Sequence, residues 1–186
     1  KKDGREIILI IDEAHTHKST ELAQEIVDYI DPKVIVHITA TPDDKEQVLV
    51  LLDELLEEVN KKLGLSKQHA GNEARGAIYD KLMQRDDVKI FVVEENGMLV
   101  GVAELFIIPI MRRGYHQGVI ESFVITRGRR RQGVGSLLFN EIKEFCKKNK
   151  IKIVKLTSSH ELTNAHKFYE KHGGKFTEKL FRFDLG

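Results

Sequence analysis

Arg-Arg-Gln-Gly-Val-Gly, residues 130–135, joins an apolar strand-like run (residues 119–125) to an apolar helix-like run (residues 136–145). Two glycines one residue apart let the backbone approach a ligand closely, and the first turn of the following helix offers unpaired N–H groups. The segment therefore predicts a phosphate-binding turn. Its basic residues precede the glycines, so it matches neither the mononucleotide loop Gly-x-x-x-x-Gly-Lys-Ser/Thr nor the dinucleotide loop Gly-x-Gly-x-x-Gly.

The same segment belongs to a longer pattern. A strand-like run at 151–156 and the stretch Asn164-Ala-His-Lys-Phe-Tyr169 follow it, and Ala40-Thr-Pro-Asp-Asp44 opens an amphipathic helix upstream. In this order the pattern resembles the GNAT family of acyl-CoA-dependent N-acyltransferases, whose diphosphate motif is Arg/Gln-x-x-Gly-x-Gly/Ala. The resemblance covers residues 34–186 and implies an α/β fold with a mixed α+β sheet.

The resemblance also implies a cofactor and its contacts. Acetyl-CoA would be the acyl donor, with Tyr169 as the proton donor to the departing thiolate. The pantetheine arm would follow the backbone of one strand, the diphosphate would lie on the glycine turn, and an asparagine would contact CoA. The residues implied are Phe123, Val124, Ile125, Arg130, Arg131, Gln132, Gly133, Val134, Gly135, Ser136 and Asn164.

N-acylation also needs a proton acceptor, because an alkylamine with a pKa near 10 is almost wholly protonated at neutral pH. Glu121 is the predicted general base, since a carboxylate inside an apolar strand is costly unless it is paired or functional. Glu104 and His160 are the alternatives. A structural role for Glu121, in an ion pair with Arg112 or Arg113, or plain exposure on an outer face of the sheet, also stays open.

The first forty residues carry a different pattern. An apolar run ends in Asp12-Glu13-Ala14-His15. A second apolar run, at residues 34–39, leads into Thr-Ala-Thr-Pro at residues 39–42. This resembles the Asp-Glu-Ala-His box and the Ser/Thr-Ala-Thr motif of helicase-type ATPases, which implies Mg²⁺ binding by Asp12 and water activation by Glu13. No phosphate loop of the Gly-x-x-x-x-Gly-Lys-Ser/Thr type occurs, which argues against ATP hydrolysis.

Both resemblances meet at Ala40-Thr41-Pro42, which suggests a fusion at this shared sequence. We expect residues 1–33 to form a helicase-like βα appendage and residues 34–186 to form the acetyltransferase domain. In this hypothesis residues 34–39 are the first strand of the acetyltransferase sheet. The strand 6–11 and a helix at about 20–29 would then extend that sheet at its edge.

Composition sets broader limits. The 186 residues are 41% hydrophobic and 32% charged, with a net charge of +1, which is typical of a globular enzyme rather than of a protein built to bind nucleic acid. The single Cys146 excludes an internal disulfide, so a cytoplasmic location is expected, and no apolar run is long enough to span a membrane. No zinc site is predicted. A homodimer is possible by family analogy.

Three functions therefore stay open at this stage. The favoured one is an N-acetyltransferase that acts on a small-molecule or protein amine by direct attack in a ternary complex. The alternatives are a non-catalytic fusion and a nucleic-acid-binding module that uses the arginines at 127–131. Nucleic acid is the less favoured partner, because no aromatic residues are interleaved with those arginines.

Hydrophobic periodicity predicts the remaining elements. Helices are expected from the cap at residues 42–44 to Gly64, at 72–85, from Val134 and at 163–172. Strands are expected at 89–93 and 99–110, joined by the hairpin signal Asn96-Gly97, and at 119–125, 151–156 and 179–184.

Overall fold

The computed structural model describes residues 8–12, 34–39, 44–64, 71–183 and 185. Six strands form one sheet in sequential order. They are β1 (Ile8–Asp12), β2 (Val34–Thr39), β3 (Val88–Glu95), β4 (Met98–Ile110), β5 (Tyr115–Ile125) and β6 (Ile153–Leu156). The helices are α1 (Lys45–Leu63), α2 (Asn72–Leu82), α3 (Val134–Lys148) and α4 (Thr163–Lys171).

The sheet is mixed. β1 with β2 and β5 with β6 run parallel, whereas the three pairs from β2 to β5 are antiparallel. The α/β fold class with a mixed sheet is therefore confirmed. β2 pairs with β3 from Ile35 opposite Glu94 to Thr39 opposite Ile90, which confirms that residues 34–39 join the main sheet.

The N-terminal unit is only partly described. β1 lies parallel beside β2, as expected for an added edge strand. The predicted helix at about 20–29 and the residues Glu13 to His15 lie outside the described residues, as do the side chains of β1 and β2. The division into domains at residues 33 and 34 stays a prediction.

Two apolar layers cover the two faces of the sheet. One face packs against α1 and α2, and its core includes Val48, Leu51, Tyr79, Ile90, Val92, Val102 and Val124. The other face packs against α3 and α4, and its core includes Phe91, Val93, Ala103, Leu105, Ile120, Leu138 and Ile142. Because β3 is apolar on both faces, it lies between the two layers with most of its residues buried.

Local signals set the ends of the elements. Asp44 caps α1, because its carboxylate accepts a hydrogen bond from the Gln47 amide at 2.9 Å. Gly64 ends α1 in the left-handed conformation (φ 65°). In the β3–β4 turn Asn96 and Gly97 both have positive φ (53° and 76°), as the predicted Asn-Gly hairpin requires.

One predicted strand is wrong. Residues 179–183 form neither helix nor strand, and the side chains of Phe181 and Phe183 are 79% and 80% exposed. An alternating apolar pattern becomes a strand only where a sheet edge pairs with it. The contact that ties this tail to the sheet is instead the ion pair between Lys155 and Glu178.

Candidate active site

The sheet opens where β5 continues beyond the end of β6. Residues Gln117 to Ile120 pair with β6. Residues 123–125 pair with β4 and with no other described strand. The other edge of this half of β5 therefore faces a gap. Backbone N–H and C=O groups at such an edge can bind an extended ligand by adding it as a further strand.

A β-bulge lies at the start of this gap. Ala103 pairs with Phe123 and Leu105 pairs with Ile120, so two residues of β5, Glu121 and Ser122, stand opposite the single residue Glu104. A bulge of this kind increases the local twist and redirects side chains. It therefore brings two carboxyl groups together at the point where the sheet opens.

The two carboxyl groups have different surroundings. Glu121 is exposed, whereas Glu104 is partly buried. Burial raises the pKa of Glu104, the hydrogen bond from Ser122 opposes that rise, and the nearby charge of Glu121 adds to it. Both candidate bases on the strands thus belong to one cluster. His160 does not: it is 91% exposed and pairs with Glu161 at 2.7 Å.

The glycine turn follows directly after β5. Arg131 and Gly133 both have positive φ (61° and 90°), and α3 begins at Val134. In the described part of the chain, none of the amides of residues 131–136 donates a backbone hydrogen bond, and the first amide to do so is that of Leu137, to Gly133 O. Open space surrounds the position that a Cβ on Gly133 would take. These amides are therefore available to an anion.

The arginines before the turn are held by carboxylates. Arg129 pairs with Glu95, and Arg130 pairs with Glu58 of α1 at 2.5 Å while its Nε donates to Ile125 O at 2.7 Å. Burial opposes ionisation of Glu58, but the hydrogen bond and charge of Arg130 more than offset it, so the pKa of Glu58 lies below its usual range. Arg130 thus shapes the turn as well as adding positive charge to it.

A second carboxylate of α1 fastens the end of β5. Glu54 accepts hydrogen bonds from the Thr126 hydroxyl at 2.8 Å and from the Arg127 amide at 3.2 Å. Glu54 and Glu58 are one helical turn apart and face the same partner segment. Sequence reasoning missed both residues, because no local pattern connects them to arginines that lie about 70 positions later.

With acetyl-CoA as the donor that the sequence resemblance implies, Glu58→Gln should raise its KM several-fold with little change in kcat. The substitution removes the charge that holds the Arg130 guanidinium against β5, so the turn loses part of its fixed geometry. Steady-state kinetics with varied acetyl-CoA measures the effect. Glu144→Gln is the matched control, because it removes an exposed carboxylate on α3 that pairs with Lys147 of its own helix. An unchanged KM in Glu58→Gln would contradict this role.

Tyr169 lies in an aromatic cluster that borders the same region. Its ring centroid is 6.4 Å from that of Phe123 on β5, and Phe123, Phe139 and Phe168 are in mutual contact. Burial raises the pKa of Tyr169 to about 12. The phenol therefore stays protonated at neutral pH and can donate a hydrogen bond.

The remaining predicted residues fall around this arrangement. Val124 and Ile125 are buried on opposite faces of β5, so only their backbone groups are available to a ligand. The Gln132 side chain donates to Gly128 O, and the Ser136 hydroxyl lies 3.0 Å from His172 Nε2. Asn164 is exposed in the first turn of α4. No sequence pattern indicated the contact between Ser136 and His172.

Comparison with known protein families identifies a match that covers this site. The model of the acetyltransferase (GNAT) family matches residues 51–174, which include the bulge, the gap and the glycine turn. The chain belongs to the GNAT family. It is accordingly an acyltransferase by family, and the sequence resemblance is confirmed for this part of the chain. No curated protein matches the chain in a sequence search.

Solved GNAT structures share the fold. An acetyltransferase from Trypanosoma brucei is 25% identical, with a TM-score of 0.64 over 82% of this chain and 99% of that one. An aminoglycoside N-acetyltransferase in complex with CoA is 16% identical, with a TM-score of 0.67 over 81% of this chain and 93% of that one. An aminoglycoside acetyltransferase from an uncultured soil metagenomic sample, in complex with trehalose, is 16% identical, with a TM-score of 0.63 over 86% and 98%. The last two likenesses concern the fold alone.

The N-terminal residues match another model. The type III restriction enzyme, res subunit, matches residues 1–44, where the sequence resembles a helicase-type ATPase. Within residues 1–43 the structure describes only the backbones of β1 and β2, so Glu13 and the side chain of Asp12 lie outside its description. Among the described helices, none combines the length and apolar character that crossing a bilayer requires.

Proposed function

We propose that this GNAT protein transfers an acetyl group from acetyl-CoA to a primary amine, by direct attack of the amine in a ternary complex. The observation that carries the proposal is the set of unpaired amides at residues 131–136, directly beside the gap between β5 and β6. A diphosphate suits the amides and the positive end of α3, and an extended amide-containing arm suits the open edge of β5. A similar fold solved with CoA supports the choice of cofactor class.

The acyl donor would bind along this path. The backbone of Phe123, Val124 and Ile125 would bind the pantetheine arm, and the turn from Arg130 to Ser136 would hold the diphosphate. Acetyl-CoA supplies an activated thioester carbonyl when it is bound. Asn164, exposed on α4, would contact the same ligand from the other side of the gap.

The bulge carboxylates would receive the amine. A protonated amine is attracted to two neighbouring carboxyl groups, and Glu121 and Glu104 provide them at the opening of the sheet. Glu121 is exposed at the gap and would take the proton, directly or through one water molecule. Glu104, whose pKa is raised by burial, lies beside it and would add to the attraction for the protonated amine when it is ionised.

Tyr169 would stabilise the leaving group. Its hydroxyl remains protonated because burial raises its pKa to about 12, so it can donate a hydrogen bond to the departing thiolate. As the C–S bond breaks, the thiolate would take up the second proton that the amine nitrogen loses, and the phenol would stay neutral. Backbone N–H groups on the open edge of β5 would serve as fixed donors to the thioester carbonyl oxygen, on which negative charge develops.

We expect Tyr169→Phe to lower kcat by about 10- to 100-fold while the KM for acetyl-CoA stays nearly constant, because a hydrogen bond made mainly in the transition state is lost. The ring itself is retained, so its contact with Phe123 should persist. Steady-state kinetics and a thermal melt measure the two effects. A kcat within a few-fold of the wild-type value would exclude Tyr169 as the proton donor.

The function itself is tested with a panel of primary amines, assayed by release of the CoA thiol. We expect saturable acetyl-CoA-dependent turnover with at least one amine, and calorimetric binding of acetyl-CoA without comparable binding of DNA. Two of the arginines before the glycine turn are already paired with carboxylates, which favours the enzyme over the nucleic-acid module. If acetyl-CoA does not bind, the proposal is wrong. If it binds without turnover of any amine, the non-catalytic fusion is the better interpretation.

A further inference from the structure

His172 lies against the start of α3, where its imidazole contacts two phenylalanine rings and the hydroxyl of Ser136. Its ring centroid is 4.5 Å from that of Phe168 and 5.3 Å from that of Phe139, and its Nε2 is 3.0 Å from Ser136 Oγ. A Cβ built on Gly135 would lie 3.5 Å from the Phe168 ring, which shows how closely α4 crosses the start of α3. The imidazole is thus fixed beside the turn that carries the unpaired amides.

The contact with Ser136 has two possible directions. Ser136 is the third residue of α3, so its hydroxyl and its unpaired amide belong to the same helical turn. If Nε2 is unprotonated, the hydroxyl donates to it and presents only lone pairs to an anion. If Nε2 carries a proton, as it does in the charged ring and in one of the two neutral tautomers, the ring donates to Ser136 Oγ, and the hydroxyl proton is free for a phosphate oxygen.

We propose that His172 is a proton-linked positioning residue of the diphosphate site: it orients the Ser136 hydroxyl, and it takes up a proton when a diphosphate binds to the first turn of α3. This inference rests on the proposed CoA site and extends it. His172 acts through Ser136 and does not itself need to touch the ligand.

The surrounding charges favour such a switch. Burial, Lys143 of α3 and Lys171 of α4 all lower the pKa of His172, so the imidazole is mostly neutral at pH 7 before the ligand binds. Lys143 Nζ lies 5.4 Å from the centroid of Phe139, a ring that also contacts His172. A bound diphosphate is negatively charged, so it offsets the positive charge of both lysines and attracts a protonated imidazole. The protonated form is therefore favoured in the complex.

The sign of the pH effect follows from this linkage. Between the pKa of free His172 and its higher value in the complex, binding takes up a proton, so the affinity falls as pH rises. The Kd should rise by up to about tenfold per pH unit in that range and stay constant outside it. Dephospho-CoA is the suitable probe, because it keeps the diphosphate and lacks the 3′-phosphate, whose second ionisation falls near pH 6.

The experiment is isothermal titration of dephospho-CoA at pH 6, 7 and 8, with two buffers of different ionisation heat at pH 7. We expect proton uptake and a rising Kd in the wild type. His172→Phe should bind several-fold more weakly at pH 6 and show no uptake. His172→Gln keeps an N–H donor for Ser136 Oγ, so it should retain the low-pH affinity of the wild type at all three pH values. His116→Gln, an exposed change at the far end of β5, should behave as the wild type.

The results distinguish the role of His172 from the existence of the CoA site. Binding of dephospho-CoA without proton uptake, or uptake that persists in His172→Gln, would overturn the role of His172 and leave the CoA site intact. A His172→Gln variant as weak as His172→Phe would show that the ring matters only for packing. Failure of the folded wild type to bind dephospho-CoA would overturn the CoA site and this inference together.

Discussion

Gly133→Val is expected to raise the Kd and the KM for acetyl-CoA by about 10- to 100-fold, which corresponds to the loss of about one charge-assisted hydrogen bond of 1.5–3 kcal/mol. Gly133 has φ of 90°, a conformation that a β-branched residue adopts only with strain. Relief of that strain would reorient the amides that open α3. The new side chain would also occupy the open space in front of the turn.

Strain alone would produce a stability loss without a binding defect, so a control at another glycine with positive φ is needed. Gly114 has φ of 64° and, like Gly133, no atom within 4 Å of a built Cβ, but it lies at the opposite end of β5. Gly114→Val should also lower the melting temperature but leave the Kd for acetyl-CoA unchanged. If both variants lose affinity equally, or if Gly133→Val binds normally, the diphosphate does not lie on this turn.

The second large effect is expected for Glu121→Gln, which should lower kcat by about 10²- to 10⁴-fold, the range usual for loss of a general base. The amide of Gln keeps the size of the side chain but is no proton acceptor at neutral pH, so the KM for acetyl-CoA should stay nearly constant while kcat falls. Steady-state kinetics at saturating acetyl-CoA measures the loss. A kcat within a few-fold of the wild-type value would remove Glu121 as the base.

Glu104→Gln tests whether the two carboxyl groups of the bulge have different roles. We expect a several-fold higher KM for the amine and a smaller loss of kcat, since Glu104 contributes charge next to Glu121 rather than accepting the proton. If Glu104→Gln loses more kcat than Glu121→Gln, the two roles are reversed. If neither variant loses more than a few-fold in kcat, the base lies elsewhere and the bulge serves only to bind the amine.

Much of the site was predictable because its chemistry is local. Two glycines beside a helix start produce unpaired amides whatever the rest of the chain does, since the first turn of a helix has no internal acceptors for them. The Asn96-Gly97 hairpin, the Asp44 cap and the Gly64 stop are likewise set by neighbouring residues. The same holds for the apolar periodicity of α1 and α3, which the structure confirms.

The failure at residues 179–183 has the opposite cause. Their alternation is a genuine strand signal, but a strand exists only as a pair, and pairing depends on an edge that the segment itself does not specify. The gap between β5 and β6 depends in the same way on several separate segments. It follows from the bulge opposite Glu104 and from the short overlap of β5 with β6.

The amino-acid sequence alone determined the order of most elements, the glycine turn at the start of α3 and the family resemblance, because helix starts, turns and hydrophobic periods act over a few residues. Only the tertiary structure decided which carboxylate holds which arginine, how Glu104 and Glu121 meet, and that His172 touches Ser136. These residues are far apart in the sequence: Glu104 and Glu121 are 17 positions apart, and Glu58 and Arg130 are 72 positions apart. Such pairs are selected by packing of the whole chain, and no local pattern encodes them.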